Sequence, residues 1–352
     1  MCSSDLAFQS PAPRIVFGVG KVDVVAQELK LHGVKRAFIL YGASGETLAL
    51  RIAASIEPAP ELVPLSSRSI SSEDFKRATD LIQKASCDGF VAIGGGTPIG
   101  LAKAIAANTR LPWIGITTTY SGSEMATNWT YGKGAEARQG SGSAALPATA
   151  IYDPALTLSL PPVLSAQSGM NAMAHAVETL YGEGRSPVVE AMATAAIGHL
   201  SRSLPRVVAE PAHLEARTEA FYGAWLAAAF RAPVGVEHAI AQKVRQRFNL
   251  SHAGTHAVVT PYAVAFNRQA APAAMKTIES AMKTDDAGLG LFDFNVRLGV
   301  PTGLRHLGMK AEDIPAAVEL VGASPIANPR PVSKADLLEL ITQAFHGEAP
   351  RF

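Results

Sequence analysis

Three pairs of polar residues in the second half of the chain stand four apart. They are Asn171 and His175 in S-G-M-N-A-M-A-H-A-V-E, His238 and Gln242 in E-H-A-I-A-Q, and His252 and His256 in S-H-A-G-T-H-A. On a helix this spacing puts both members of a pair on one face. His175 lies among Met170, Ala172, Met173, Ala174, Ala176 and Val177, an apolar setting in which an imidazole needs a partner or a task. Histidines converging from three helices can bind a divalent metal, hold a substrate carboxylate or pass a proton. Each taken alone is more simply a satisfied structural histidine; three histidine-bearing helices in one region shift the reading toward a site.

A second chemistry-bearing stretch lies upstream, D-G-F-V-A-I-G-G-G-T-P-I-G-L-A-K-A-I-A from Asp88 to Ala106. An apolar run ending in Gly94, Gly95 and Gly96 and passing into a small-residue helix describes a buried parallel strand that turns into a helix N-terminus. There the backbone N–H groups and the positive end of the helix dipole can face a phosphate. The glycines lack the G-x-G-x-x-G spacing, so a ligand-free tight turn is the alternative. Hydroxyls in T-T-T-Y-S-G-S-E (Thr117 to Glu124) follow the next expected strand and suit the same dinucleotide.

The elements that must position these residues follow from patterning. From Arg14 to about Asp153, β-rich runs alternate with amphipathic stretches. The expected strands are R-I-V-F-G, Ala37 to Gly42, Glu61 to Pro64, Phe90 to Ile93 and Trp113 to Thr117. The expected helices are Val22 to Leu31, Glu46 to Ile56, Ser71 to Ala85 and Ile99 to Ala107. That order is the mark of βαβ units around a parallel sheet, in which ligands bind beyond the carboxyl ends of the strands. The Gly, Ser and Ala-rich segment Lys133 to Ala145 reads as an exposed hairpin or mobile loop. Past Tyr152 to Pro154 helical periodicity takes over: Leu164 to Tyr181, Val188 to Leu204, Leu214 to Arg231, Val236 to Arg245, His252 to Asn267, Ala271 to Met282, Leu289 to Leu298, Ala311 to Val321 and Lys334 to Ala344. The expected fold is an α/β dinucleotide-binding domain with a parallel sheet (1–157) followed by an all-α domain (158–352), with a catalytic cleft between them.

With 352 residues, 48% of them hydrophobic and 17% charged, the chain can bury cores for two domains. A net charge of +1 supplies no global field for nucleic acid or an anionic membrane, so the expected partner is a small molecule. Two cysteines, Cys2 and Cys87, make neither a metal spacing nor a disulfide framework. With no signal-like start and no membrane-length apolar run, the expectation is a cytoplasmic enzyme.

The chain resembles the iron-containing alcohol dehydrogenase superfamily and, within it, the maleylacetate reductase branch. Beyond the motifs above, R-I-V-F-G-V-G, Y-G-A-W-L (Tyr222 to Leu226) and N-P-R-P (Asn328 to Pro331) carry the resemblance, with Gly100 where the metal-dependent enzymes usually have Asp and Tyr120 after the threonine pair. It implies the dehydroquinate synthase-like fold, reduction of a carbonyl by NADH or NADPH, and a homodimer. In maleylacetate reductases the substrate is an unsaturated oxo-dicarboxylate from aromatic ring cleavage and the product is 3-oxoadipate.

On this resemblance Gly42, Gly94, Gly95, Gly96, Thr97, Thr118, Thr119 and Ser123 hold the cofactor. His175, His238 and His252 place the substrate and stabilise or protonate developing charge, with Asn171, Gln242, Tyr120 and Arg245 around it. These three histidines match the family's histidine metal ligands, but Asn171 stands where its carboxylate ligand would be. A metal-free site is therefore expected, with Fe or Zn on the three histidines as the alternative. The chain departs from the family at Gln242, where a second histidine is usual, at Arg245 and Arg247, which replace small residues, and near Ala144, where a basic residue is missing. Those departures keep two alternatives in view: a metal-dependent alcohol dehydrogenase, and a diverged non-redox or non-catalytic member of the fold.

Overall fold

The computed structural model describes residues 13–65, 70–132, 134–183, 185–229 and 234–352. Cys2 and the chain start, Lys133, and the expected end of the helix at Arg231 lie outside the described residues. The chain divides into two compact units between Leu160 and Pro161, three residues beyond the expected boundary.

In the first unit the strands are β1 (Arg14–Phe17), β2 (Ala37–Tyr41), β3 (Glu61–Pro64), β4 (Gly89–Gly94), β5 (Trp113–Thr117), β6 (Asn128–Tyr131), β7 (Arg138–Ser141) and β8 (Thr149–Tyr152). They alternate with α1 (Val25–Leu31), α2 (Glu46–Ala53), α3 (Ser72–Ala85) and α4 (Gly96–Thr109). Among the described residues the main sheet is parallel, in the order β1-β8-β5-β4-β2-β3. β2 and β5 are buried along their whole length and β4 up to Gly94, as central parallel strands covered on both faces must be. One face packs Ile39, Val91, Ile93, Ile114 and Ile151 against α1 and α2; the other packs Phe38, Phe90, Ala92 and Trp113 against α3 and α4.

Local signals explain the boundaries. Ser71 caps α3 by accepting from the Asp74 N–H at 3.0 Å. The expected helix at Val22 opens instead as a 3-10 turn, Lys21–Val24, because the Asp153 carboxylate takes the Val22 N–H at 3.2 Å and holds the entry tight. The helix expected from Ile99 begins three residues earlier at Gly96, inside the glycine run, since Gly95 serves as its N-cap. The segment around Lys133 belongs to an antiparallel pair, β6 with β7, so of the two expectations the hairpin holds.

The second unit is helical: α5 (Pro162–Tyr181), α6 (Pro187–Ala209), α7 (Leu214–Ala229), α8 (Val236–Phe248), α9 (His252–Asn267), α10 (Pro272–Met282), α11 (Ala287–Arg297), α12 (Ile314–Gly322) and α13 (Lys334–His346). Small residues let the long helices approach. A Cβ on Gly169 would lie 2.4 Å from Leu204, and one on Gly223 of the Y-G-A-W-L motif 2.9 Å from the His199 Cβ. Val236, Ile240, Val244, Val258, Val259, Tyr262 and Ile341 form a core under α8 and α9. No described helix is long and apolar enough to cross a membrane.

Gly94 is the residue on which the turn after β4 depends. Its φ of +142° lies outside the range L side chains adopt readily, and a Cβ there would lie 2.7 Å from the Pro98 ring. Gly94→Ala is expected to cost on the order of 2 kcal/mol, read as a lower urea midpoint at unchanged slope. An unshifted midpoint would show that glycine is not required there.

Candidate active site

The three histidine-bearing helices bring their rings together. His175 on α5 lies 4.3 Å, centroid to centroid, from His238 on α8 and 6.3 Å from His256 on α9; His238 and His256 are 4.7 Å apart. His252 stacks edge-on against His256 at 4.7 Å, at the exposed rim of the cluster. Asn171, one turn before His175, is buried beside it in sequence on α5. The expected triad of His175, His238 and His252 therefore forms around a fourth ring, His256.

Two buried carboxylates organise the rings. Glu178 of α5 accepts from the Gly235 and Glu237 N–H groups, each at 2.9 Å, and from His238 Nδ1 at 2.6 Å. It thereby caps the first turn of α8 and orients its histidine in one contact set. Glu237 lies 2.7 Å from the same Nδ1 and accepts from His256 Nδ1 at 2.9 Å, so one carboxylate bridges two imidazoles. The N-P-R-P motif supports this end of α8: Asn328 exchanges hydrogen bonds with Asn267 at 3.1 and 2.7 Å and accepts the Val236 N–H, while Arg330 stacks on Phe266 at 4.0 Å and pairs with Asp336.

The charges follow from these contacts. Burial opposes a charged His238, but Glu237 and Glu178 outweigh it and raise its pKa to about 10, so the ring is an imidazolium at neutral pH. Burial likewise opposes a charged Glu237, but His256 and His238 hold its pKa down at about 2. Burial keeps His256 neutral, only partly offset by Glu237. Burial of one side of the His252 ring, with His256 and Arg245, drives its pKa down as well, a shift that solvent on its exposed side limits. With Nδ1 of both buried rings turned to carboxylates, their Nε2 atoms point away. Neither has a hydrogen-bond partner among the described residues. His238 Nε2 is then an N–H donor and His256 Nε2 a bare acceptor.

Gln242, one turn after His238, is exposed, and Arg245 two turns on is half-buried. The buried Arg245 Nε has no partner among the described residues, and burial lowers the guanidinium's pKa. Glu178, Glu237 and His256 were absent from the expected catalytic set. The sequence did carry their signal, in A-H-A-V-E, in the E-H dipeptide and in the His252–His256 pair, because an acid buried in an apolar helix requires a cationic partner.

The expected cofactor residues belong to the α/β unit. A cavity of about 530 Å³ opens at the carboxyl ends of the strands and is lined by Gly94 and Thr118 together with Gly20, Gly45, Arg51 and Asp153, among others. The Thr118 N–H donates to the Gly94 carbonyl at 3.2 Å, locking the ends of β4 and β5 together. A Cβ on Gly95 would press on Thr119 at 2.8 Å, and one on Gly96 would meet nothing within 4 Å, so the glycine run leaves an open approach. The buried Thr119 hydroxyl has no partner among the described residues and suits a phosphate or ribose oxygen. A Cβ on Gly42 would meet Pro98 at 3.4 Å, the Ser123 carbonyl accepts from Lys103 at 3.0 Å, and neither residue lines the cavity; nor do Gly95, Gly96, Thr97 and Thr119. Tyr120 is fully buried in the chain.

The two buried histidines have opposite effects on stability. His238, raised to about 10 from 6.5, stabilises fully below pH 6.5 and loses that contribution as pH rises through about 10. His256, lowered below 6.5, refuses a proton that the unfolded chain accepts, so stability falls as pH drops below 6.5. Glu237 adds to the acid loss between pH 4.5 and about 2. Urea midpoints across this range should peak near pH 6.5, and His238→Gln should flatten the alkaline limb. A variant that keeps that limb would remove His238 as its cause.

Comparison with known proteins identifies the family. The model of the iron-containing alcohol dehydrogenase family matches residues 12–154, and that of the C-terminal part of the same family matches 165–345. A maleylacetate reductase from Pseudomonas sp. strain P51 is 36% identical over 342 residues, covering 96% of this chain and 97% of its own. One from Rhizobium sp. strain MTP-10005 is 38% identical over 340 residues, covering 96% and 97%. The crystal structure of maleylacetate reductase from that Rhizobium strain superposes with a TM-score of 0.94 at 36% identity, covering 99% of this chain and all of the other. With both halves matched and relatives aligned over nearly its whole length, the chain belongs to the iron-containing alcohol dehydrogenase family, on its maleylacetate reductase branch.

Proposed function

We propose that this enzyme is an NAD(P)H-dependent reductase that converts maleylacetate, or a related unsaturated oxo-acid, to 3-oxoadipate or its analogue. The observation that carries the reading is the placement of the His238 ring: two buried carboxylates lie within 2.7 Å of its Nδ1, and its Nε2 is left with no partner among the described residues. The maleylacetate reductases among its relatives supply the substrate class.

Substrate and product both keep the oxo group and differ by one C=C bond. The carbonyl that the resemblance expected to be reduced therefore serves as an electron sink. A bound nicotinamide cofactor supplies the hydride, which goes to the alkene carbon β to the oxo group. The π electrons shift toward the oxo oxygen, where the His238 Nε2–H donates and stabilises the developing enolate; the α carbon then takes a proton from solvent, which completes the addition of hydride and proton across the C=C bond. The His175 and His256 rings pack against that of His238. Arg245 lies two turns after His238 on the same face of α8, roughly 10 Å along the axis, where it is placed to take a substrate carboxylate.

The donor set suits this chemistry better than it suits the family's metal. The family's carboxylate ligand position holds the amide of Asn171, which brings no negative charge to a cation. Glu237, His238 and His256 do place ligand atoms within 4.8 Å of one another, but that carboxylate is already engaged with both rings. The proposal includes a homodimer in the cytoplasm with no nucleic-acid or membrane partner, on the strength of the family resemblance and the chain's near-zero net charge.

Oxidation of NADH or NADPH followed by absorbance with maleylacetate tests the reading. Turnover should survive EDTA, His238→Ala should lower kcat on the order of a hundredfold or more, and Arg245→Ala should raise KM about tenfold with kcat little changed. Loss of activity to EDTA, restored by Fe or Zn, would move the enzyme to the metal-dependent class. Absence of cofactor binding would sink the oxidoreductase reading.

A further inference from the structure

Helix α9 carries His252 and His256 in its first half and Pro261 in its middle. Proline has no N–H, so the Ala257 carbonyl, one turn back, loses its donor in the helix ladder, and the pyrrolidine ring pushes that carbonyl aside and turns the helix. Ala257 is fully buried, so water cannot take over. The replacement comes from α11: the Asn295 Nδ2 donates to the Ala257 carbonyl at 2.6 Å. The carbonyl before it, that of His256, takes an additional bond from the Thr260 hydroxyl at 2.7 Å. Side chains thus hold two successive carbonyls at the turn of the helix, one of them in the backbone of the histidine itself.

An amide is not the side chain that packing alone would place there. Asn295 is buried, and its Oδ1 has no hydrogen-bond partner among the described residues. A leucine of similar size would avoid that desolvation but would leave the Ala257 carbonyl bare. The second half of α9 is anchored separately. The Tyr262 hydroxyl reaches the Glu348 and Thr302 carbonyls at 2.8 and 3.3 Å, and Asn267 pairs with Asn328. Gly288 of α11 lies against the same half, where a Cβ would come 2.8 Å from that of Ala265. The direction of the first half therefore depends on the turn at Pro261. His256 stands about 7.5 Å before Pro261 along the axis, so straightening a bend of about 20° would carry it roughly 2.5 Å sideways. That exceeds the play of its 2.9 Å contact with Glu237.

Resting on the reductase reading above, we propose that Asn295 is a positioning residue for the reaction. By holding the carbonyl that Pro261 leaves without a donor, it fixes the direction of the first half of α9 and keeps His256 on Glu237. Because Glu237 also lies 2.7 Å from His238 Nδ1, the same hold sets the ring that faces the oxo group. Asn295 touches neither substrate nor cofactor in this scheme; it acts through α9 and the shared carboxylate.

Steady-state kinetics with maleylacetate and a nicotinamide cofactor, urea midpoints, and the NMR signals of isotope-labelled histidine, all measured on the full chain, test this together. Asn295→Leu keeps the volume and removes the donor. It should lower kcat about tenfold or more with KM within about twofold, lower the midpoint and shift the His256 ring signals. Adding Pro261→Ala to that variant gives the Ala257 carbonyl a backbone donor again but removes the bend. The midpoint should recover while kcat stays low, a split that a purely structural asparagine would not produce. Pro261→Ala alone should show the same low kcat at a midpoint no lower than the parent's, and it carries the test if Asn295→Leu does not fold. Parent kcat in Asn295→Leu or in Pro261→Ala, or kcat recovering with the midpoint in the double variant, would overturn the positioning role. A parent protein that turns over no maleylacetate would count against the reductase reading; the His256 signals then decide, and signals unmoved in all three variants would remove the positioning role as well.

Discussion

Everything in the helical unit's site depends on one contact set: the buried Glu178 carboxylate and the first turn of α8. A carboxylate removed from water is costly unless its lone pairs are filled, and Glu178 fills them with two backbone N–H groups and an imidazole. The backbone contacts cap α8 and fix its angle to α5; the imidazole contact fixes the tautomer and direction of His238. Capping and orientation of the imidazole are thus the same interaction, and a change that loosened one would loosen the other. Glu237 extends the arrangement by joining His238 to His256, so three helices share one buried charge network. Net charge within it stays small because each acid faces a ring that can carry or donate a proton.

The α/β unit solves a different problem. The turn after β4 leaves its backbone uncovered, because no side chains stand at Gly94 to Gly96. That absence is tolerated because Pro98, Thr119 and the end of β5 brace the turn from behind. The same bracing explains why α4 starts inside the glycine run: the strand, the turn and the first helical residue form one rigid piece. The open side of Gly96 is where a ligand can approach.

Much of this was legible in the sequence. The order of strands and helices, the parallel sheet and the helical second half follow from periodicity. The histidine pairs at i,i+4 announced their helix faces. What periodicity could not show was tertiary pairing. His252 and His256 look equivalent in S-H-A-G-T-H-A, and only packing against Glu237 distinguishes the buried ring from the one at the rim. Glu178 and Glu237 stand next to the histidine motifs in sequence, but which ring each one holds depends on packing between α5, α8 and α9. The 3-10 turn at Lys21–Val24 likewise depends on Asp153, more than a hundred residues away.

The departures from the family pattern can now be weighed by position. Gln242 is exposed, so the missing second histidine removes no ring from the buried cluster, where His256 already stands with its Nδ1 on Glu237. Arg245 is a different case. A half-buried guanidinium beside neutral histidines, with no carboxylate partner among the described residues, would destabilise an empty site through unpaired charge and desolvation. An anionic ligand at that position would relieve the cost. The arginine that departs from the family is therefore consistent with retained activity on an anionic substrate, and it argues against the reading in which these changes mark lost function.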